Sequence, residues 1–272
     1  MRLGIFAKTF ERDVFRAARD AGYASVQYNM ACSGLASLPE MVSDAVADEV
    51  ADSARETGVA IAAVSATYNM IHPDLAKREA GRRAFEVIAL QAKRMGTGLV
   101  TLCTGSRDGH DQWHHHPENA SKEAWADMIA EFEVIIPVAE SAGITLGIEP
   151  ELGNVVSDAI TARRLLDEMR SDRLRIVLDA ANLFEVASPA HVRRLVEEAV
   201  HLLGPHIIMA HAKDRAADGG FCAAGKGIID FGHYIRTLRA AGFDGDVVTH
   251  GLSAAEAPGV ASFLSTPIRD RL

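Results

Sequence analysis

Leu3–Asp13 reads LGIFAKTFERD. The first five residues suit a strand, and the six that follow contain no glycine. An open, doubly wound α/β sheet usually carries a glycine-rich turn after its first strand. The lack of one here points instead to a closed barrel, provided that the rest of the chain alternates strands with helices.

It does. Apolar runs that end in polar residues, Gly or Pro recur as SVQYN (25–29), IAAVSA (61–66), GLVTLC (98–103), ITLGIE (144–149), LRIVLD (174–179), HIIMAHA (206–212) and DVVTH (246–250). Near-continuous apolar runs are expected of strands buried on both faces of a parallel sheet. Between them Glu11–Ala21, Leu75–Met95, Lys122–Ala142, Ser157–Met169 and Ala190–Leu203 place apolar residues at three- and four-residue steps, as helices do. Gly22, Gly58, Gly96, Gly143 and Gly242 stand where helix C-terminal glycines belong. Eight strand–helix units in 272 residues average 34 residues each. The expected architecture is therefore α/β, a (β/α)8 TIM barrel forming a single domain over residues 1–272.

Composition narrows the function. The chain is 48% hydrophobic and 24% charged, an ordinary globular balance. A net charge of −9 argues against a nucleic-acid partner, which would call for a basic face. Cys32, Cys103 and Cys222 are odd in number and widely spaced, which fits neither a disulfide framework nor a zinc finger, so a reducing cytoplasm is expected. No membrane association is expected, because no run reaches about 18 apolar residues. The N-terminal apolar stretch is too short for a signal peptide.

In a barrel all strand C-termini meet at one face, where the chemistry sits. Strand five ends at Glu149, strand six at Asp179, strand seven carries His211 and strand eight ends at His250, with separations of 30, 32 and 39 residues. Taken singly, a carboxylate at a strand end serves as a helix N-cap, and a histidine in an apolar strand as a core hydrogen-bonding group. Together, two carboxylates and two imidazoles aimed at one pole suit a divalent ion such as Mn²⁺, Zn²⁺ or Co²⁺. Loops at the same pole add further polar groups. ATYNMIHPD offers Tyr68, Asn69 and His72, and TGSRDGHDQWHHHPEN offers Arg107, Asp108, Trp113 and His114–His116. Three consecutive histidines cannot all face one ion, so this loop reads as a solvated lid or substrate wall. HAKDRAADGGFCAAGKGIIDF offers Lys213, Asp214 and Lys226, with Gly225 and Gly227 permitting close backbone approach. Arg107, Lys213 and Lys226 could neutralise a phosphate or a carboxylate.

NMIHP, TLCTGSRD, GIEPE, VLDAANLF, HAKD and GKGIIDF follow one another at barrel spacing. With them, the chain resembles the sugar phosphate isomerase/epimerase family of xylose-isomerase-like TIM barrels. The resemblance implies one divalent metal ion held by Glu149, Asp179 and His211, with His250 at the fourth position, where many members carry a glutamate. It implies proton abstraction beside the carbonyl of a small sugar, sugar phosphate or sugar acid, with Glu149 and His250 as the catalytic pair. Asn69, His72, Arg107, Trp113, Glu151, Asn182, Lys213 and Lys226 would bind substrate. A homo-oligomer is implied by the family alone. Two alternatives stay open. One is an AP endonuclease-like multi-zinc phosphoesterase, although Asn182 stands where those enzymes carry a histidine. The other is a non-catalytic sugar-binding barrel, with His250 marking loss of the catalytic set.

Overall fold

The computed structural model describes residues 1–269. Strands β1 (Arg2–Phe6), β2 (Ser25–Tyr28), β3 (Ala60–Ser65), β4 (Leu99–Leu102), β5 (Thr145–Ile148), β6 (Leu174–Asp179), β7 (Ile207–Arg215) and β9 (Asp246–Thr249) pair in parallel, each with the next. The return of β9 to β1 closes the barrel. Helices α1 (Val14–Asp20), α2 (Asp44–Thr57), α3 (Leu75–Met95), α4 (Lys122–Ala142), α5 (Ala159–Met169), α6 (Pro189–Leu203), α7 (Phe231–Ala240) and α8 (Ala257–Arg269) follow the strands in turn. A ninth strand, β8 (Phe221–Ala223), runs antiparallel to the outer end of β7.

Helix ends are set by short polar side chains. Asp74, Ser121, Ser188 and Asp230 each accept a backbone N–H at the start of α3, α4, α6 and α7, a contact worth roughly 1 kcal/mol. Gly96 and Gly143 close α3 and α4 in the left-handed conformation, as the sequence suggests. The main core lies between barrel and helices. Phe85 and Ile88 of α3, Phe132 and Ile135 of α4 and Tyr234 of α7 are fully buried there, each side chain contributing roughly 1.5–3 kcal/mol.

A second, smaller apolar cluster, of Ala62, Ala63, Leu99, Val177, Met209 and Val248, fills the barrel axis. Gly147 joins the same layer. A Cβ on it would stand 2.9 Å from the Val177 side chain, so only glycine lets the axis pack this closely. Side chains alternate along a strand. Two residues beyond Gly147, Val177, Met209 and Val248 come Glu149, Asp179, His211 and His250. The apolar plug is thus the floor on which the polar layer stands. Cys32, Cys103 and Cys222 are free thiols. Among the described residues no helix is long and apolar enough to cross a membrane.

Candidate metal centre

The donor atoms of Glu149, Asp179, His211 and His250 all lie within 4.8 Å of one another. Donors around one ion with bonds of about 2.1 Å stand no more than about 4.2 Å apart, so the four groups are near enough to converge on a single ion. Two carboxylates and two imidazoles are also the right chemistry for a divalent transition metal. Each histidine lies against a carboxylate. His211 Nδ1 is 3.0 Å from Glu149 Oε1, and His250 Nε2 is 3.1 Å from Asp179 Oδ2. The two rings tilt together at a centroid distance of 4.5 Å.

Asp179 divides its two oxygens between the cap and the cluster. Its Oδ1 caps the following turn by accepting the Ala181 N–H at 2.9 Å, while Oδ2 faces the site. His211 is oriented by Gln27. The Gln27 amide donates to Ser65 Oγ at 2.9 Å and to Thr101 Oγ1 at 3.0 Å, which leaves its oxygen 2.8 Å from His211 Nε2. That oxygen accepts the Nε2 proton, so in the neutral ring the Nδ1 lone pair points at the site. This is the outer contact by which a ligating histidine is usually fixed.

Asn182 ties the layer above. It donates to Glu149 Oε1 at 3.0 Å and Glu151 Oε1 at 2.8 Å, and accepts from Lys213 Nζ at 3.0 Å. Lys213 also lies 3.4 Å from Asp179 and 3.8 Å from Glu151. Burial works against ionisation throughout this cluster. It is overcome in Glu149, whose carboxyl is lowered by the charge and hydrogen bond of His211, and in Asp179, held low by Lys213 and His250. Burial and the charge of Glu149 push Glu151 up to about 7, against the opposing pull of Lys213. His250 is lowered by burial and by His211.

Glu149, His211 and His250 of this cluster line the floor of a cavity of about 1000 Å³ at the strand C-termini. Trp113, half-exposed, and the neighbouring histidines His114 and His115 wall one side. The three consecutive histidines divide their work. His114 pairs with Asp108, His115 faces the cavity, and His116 accepts the Glu118 N–H. Four of the residues expected to bind substrate have other partners. The Arg107 guanidinium meets Asp127 at 2.6 Å and the Ile71 carbonyl at 3.2 Å. Asn69 clamps the backbone of Ser106 on both sides, N–H and carbonyl. His72 has both ring nitrogens engaged, by the Asp74 N–H and the Gly109 carbonyl. Lys226, exposed, pairs with Glu256 at 2.6 Å. The close approach permitted by the GKG glycines is to the protein itself. Asp214, fully buried, accepts the N–H groups of Gly225, Gly227 and Ile229.

Sequence reading passed over Gln27, Ser65 and Thr101, polar residues in otherwise apolar strands, whose inward positions were available from strand alternation. It also passed over Arg215 and Phe221, which line the cavity.

Residues 15–258 match the family model of the xylose isomerase-like TIM barrel. The chain belongs to that family. A D-psicose 3-epimerase structure determined in the presence of D-fructose is 16% identical, with a TM-score of 0.74 over 99% of this chain and 100% of that one. The 3-keto-D-glucoside 4-epimerase YcjR from E. coli is 18% identical, with a TM-score of 0.77 over 98% of this chain and 99% of that one. An L-ribulose 3-epimerase is 17% identical, with a TM-score of 0.75 over 98% and 94%. At such identities the likeness is one of fold. No curated protein sequence matches the chain.

Proposed function

We propose that the protein is a metal-dependent isomerase or epimerase, or a related lyase, acting on a small polyhydroxylated carbonyl compound by proton abstraction beside the carbonyl. The observation that carries this reading is the convergence of Glu149, Asp179, His211 and His250 at the floor of a cavity of small-molecule size. The sugar epimerases that share the fold support the substrate class. A divalent ion bound there would supply Lewis-acid polarisation of the carbonyl and charge stabilisation.

The remaining work falls to the side chains. Glu149 Oε1 is engaged by His211 and Asn182, whereas Oε2 has only the Cys103 thiol at 4.0 Å. Oε2 is therefore the base that takes the proton from the carbon beside the carbonyl. Burial raises the Cys103 thiol well above its ordinary range, which leaves it a packing group and not a nucleophile. With His250 committed as a ligand, aldose–ketose isomerisation or elimination needs one base. Two-face epimerisation needs a second proton carrier, and Glu151 is the carboxyl group placed for it. A reducing cytoplasm suits the three free thiols.

The multi-zinc alternative asks for further ligands. Asn182 spends its amide on two carboxylates and Lys213, and among the described residues the four-residue set is the one group close-set enough to hold a metal ion. The test is solvent exchange. Protein loaded with Mn²⁺, Co²⁺ or Zn²⁺ is incubated in D₂O with a panel of ketoses and keto sugar acids and followed by proton NMR. Loss of the signal at the carbon beside the carbonyl is expected, with Glu149→Gln slower by about 10² or more. Absence of exchange in every compound by metal-loaded wild type would overturn the reading.

A further inference from the structure

We infer that the substrate carries an acid group, a carboxylate or a phosphate, at the end remote from the reacting carbonyl, and that Arg215 binds it. This rests on the sugar reading above and names the substrate class more narrowly.

The cations near the barrel mouth meet different fates. Arg107 is spent on Asp127, and Lys226 on Glu256. Lys213 is shared among Asn182, Asp179 and Glu151. Lys8 also lines the cavity, with no side-chain partner among the described residues to hold it in place. Arg215 is different. It lines the cavity, yet among the described residues no carboxylate stands within ion-pair distance of it. Glu151, Glu185 and Asp179 act on it only at longer range.

Its guanidinium is nonetheless held in place. Nε donates to the Ala181 carbonyl at 2.9 Å and Nη1 to the Gly219 carbonyl at 2.6 Å. The plane lies over Phe221 at 3.9 Å, and that ring also carries Lys213 at 3.8 Å. The residue is 94% buried. Among the described residues no group takes Nη2. A buried guanidinium with two donors tied to backbone and one edge open to a cavity is organised to grip an oxyanion. Ala181 lies in the turn capped by Asp179, so the guanidinium is anchored to the same turn as a candidate metal ligand.

The charges around the cavity leave an excess of cation. A divalent ion would balance Glu149 and Asp179, Lys213 faces Glu151, and Arg215 and Lys8 stand against the single carboxylate of Glu185. His211, Lys213 and Arg215 alternate along β7, and at about 3.3 Å per residue the Arg215 Cα stands about 13 Å beyond that of His211. Its guanidinium is tied to the Gly219 carbonyl, in the turn beyond β7. With the carbonyl end at the ion, we assign Arg215 to the far end.

The test compares three probes on one carbon skeleton: D-fructose, D-fructuronate and D-fructose 6-phosphate. Binding to Mn²⁺-loaded wild type, Arg215→Met and Arg215→Lys is measured by calorimetry. At least one acidic probe is expected to bind wild type about tenfold or more tighter than D-fructose. Arg215→Met should bring it to within about threefold of D-fructose, and Arg215→Lys should fall between. Whether the carboxylate or the phosphate gains more identifies the acid. Equal binding of all three probes to wild type, or a preference that survives in Arg215→Met, overturns the assignment and leaves the sugar reading standing. Should Arg215→Met fail to fold, wild type and Arg215→Lys decide. Failure of all three probes to bind wild type overturns the sugar reading and this assignment together.

Discussion

Gln27 shows how one residue can govern a centre it does not itself enter. Its oxygen takes the His211 Nε2 proton at 2.8 Å, and its amide is fixed by Ser65 and Thr101. Gln27→Leu should weaken divalent-metal binding by about 10–100-fold while the fold is retained. Titration calorimetry with Mn²⁺ checks it, and unchanged affinity would remove Gln27 from the account. Arg107 makes the opposite case. Sequence placed it at the substrate, but the fold spends it on Asp127 and on the Ile71 carbonyl. Arg107→Met should lower stability by about 1 kcal/mol, as expected of a pair with one half-exposed partner, and leave metal and sugar binding unchanged. The Asp127 carboxyl also sets a sign with pH. Burial raises it, but Arg78 and Arg107 together bring it below its ordinary value of 3.8. Its stabilisation is thus complete above about pH 4 and lost as pH falls through the folded-state value. Chemical denaturation of wild type and Asp127→Asn between pH 3 and 6 should show the two converging at the acid end. The convergence of Glu149, Asp179, His211 and His250 was legible in sequence because strand ends and strand spacing locate them. The cations were not. A charge finds its partner through loop geometry, and nothing in TGSRD or GKG reveals Asp127 or Glu256.

Among the elements, the parallel strands and long helices follow from hydrophobic period and terminal glycines, and α3 and α4 fall where the periodicity puts them. The antiparallel arm β8 was not legible. It is three residues long, and its pairing with Lys213–Arg215 depends on a turn at 216–220. That arm brings Phe221 over two cations and so builds part of the cavity wall. The GKG segment was legible as a place of close backbone approach, though not what it approaches. A Cβ on Gly227 would stand 2.3 Å from the Arg215 carbonyl oxygen and from Asp214 Oδ1. Gly227→Ala should therefore destabilise by about 1–3 kcal/mol, measured by urea unfolding. Lys226→Met, on the same turn, should leave sugar binding as it was. A stable Gly227→Ala variant would show that the Asp214 cradle gives way more easily than its packing implies.

At the scale of the whole molecule, the barrel's contribution is convergence. Residues up to 101 positions apart in sequence meet because closure of β9 on β1 draws four adjacent strand ends to one pole. A ligand that binds only this folded arrangement must stabilise it. At a free ion concentration of 100 times Kd the gain is about 2.7 kcal/mol, or roughly 5–10 °C in Tm for a chain of this size. Removal of the ion by a chelator should reverse that shift in wild type and do nothing in His250→Ala. The most direct measurement is the metal content of tag-free protein, wild type and His250→Ala side by side, by elemental analysis after dialysis against Mn²⁺, Co²⁺ or Zn²⁺. The account predicts one ion per wild-type chain and clearly less in the variant. No ion in wild type with any of the three metals, or two or three ions per chain, would contradict it.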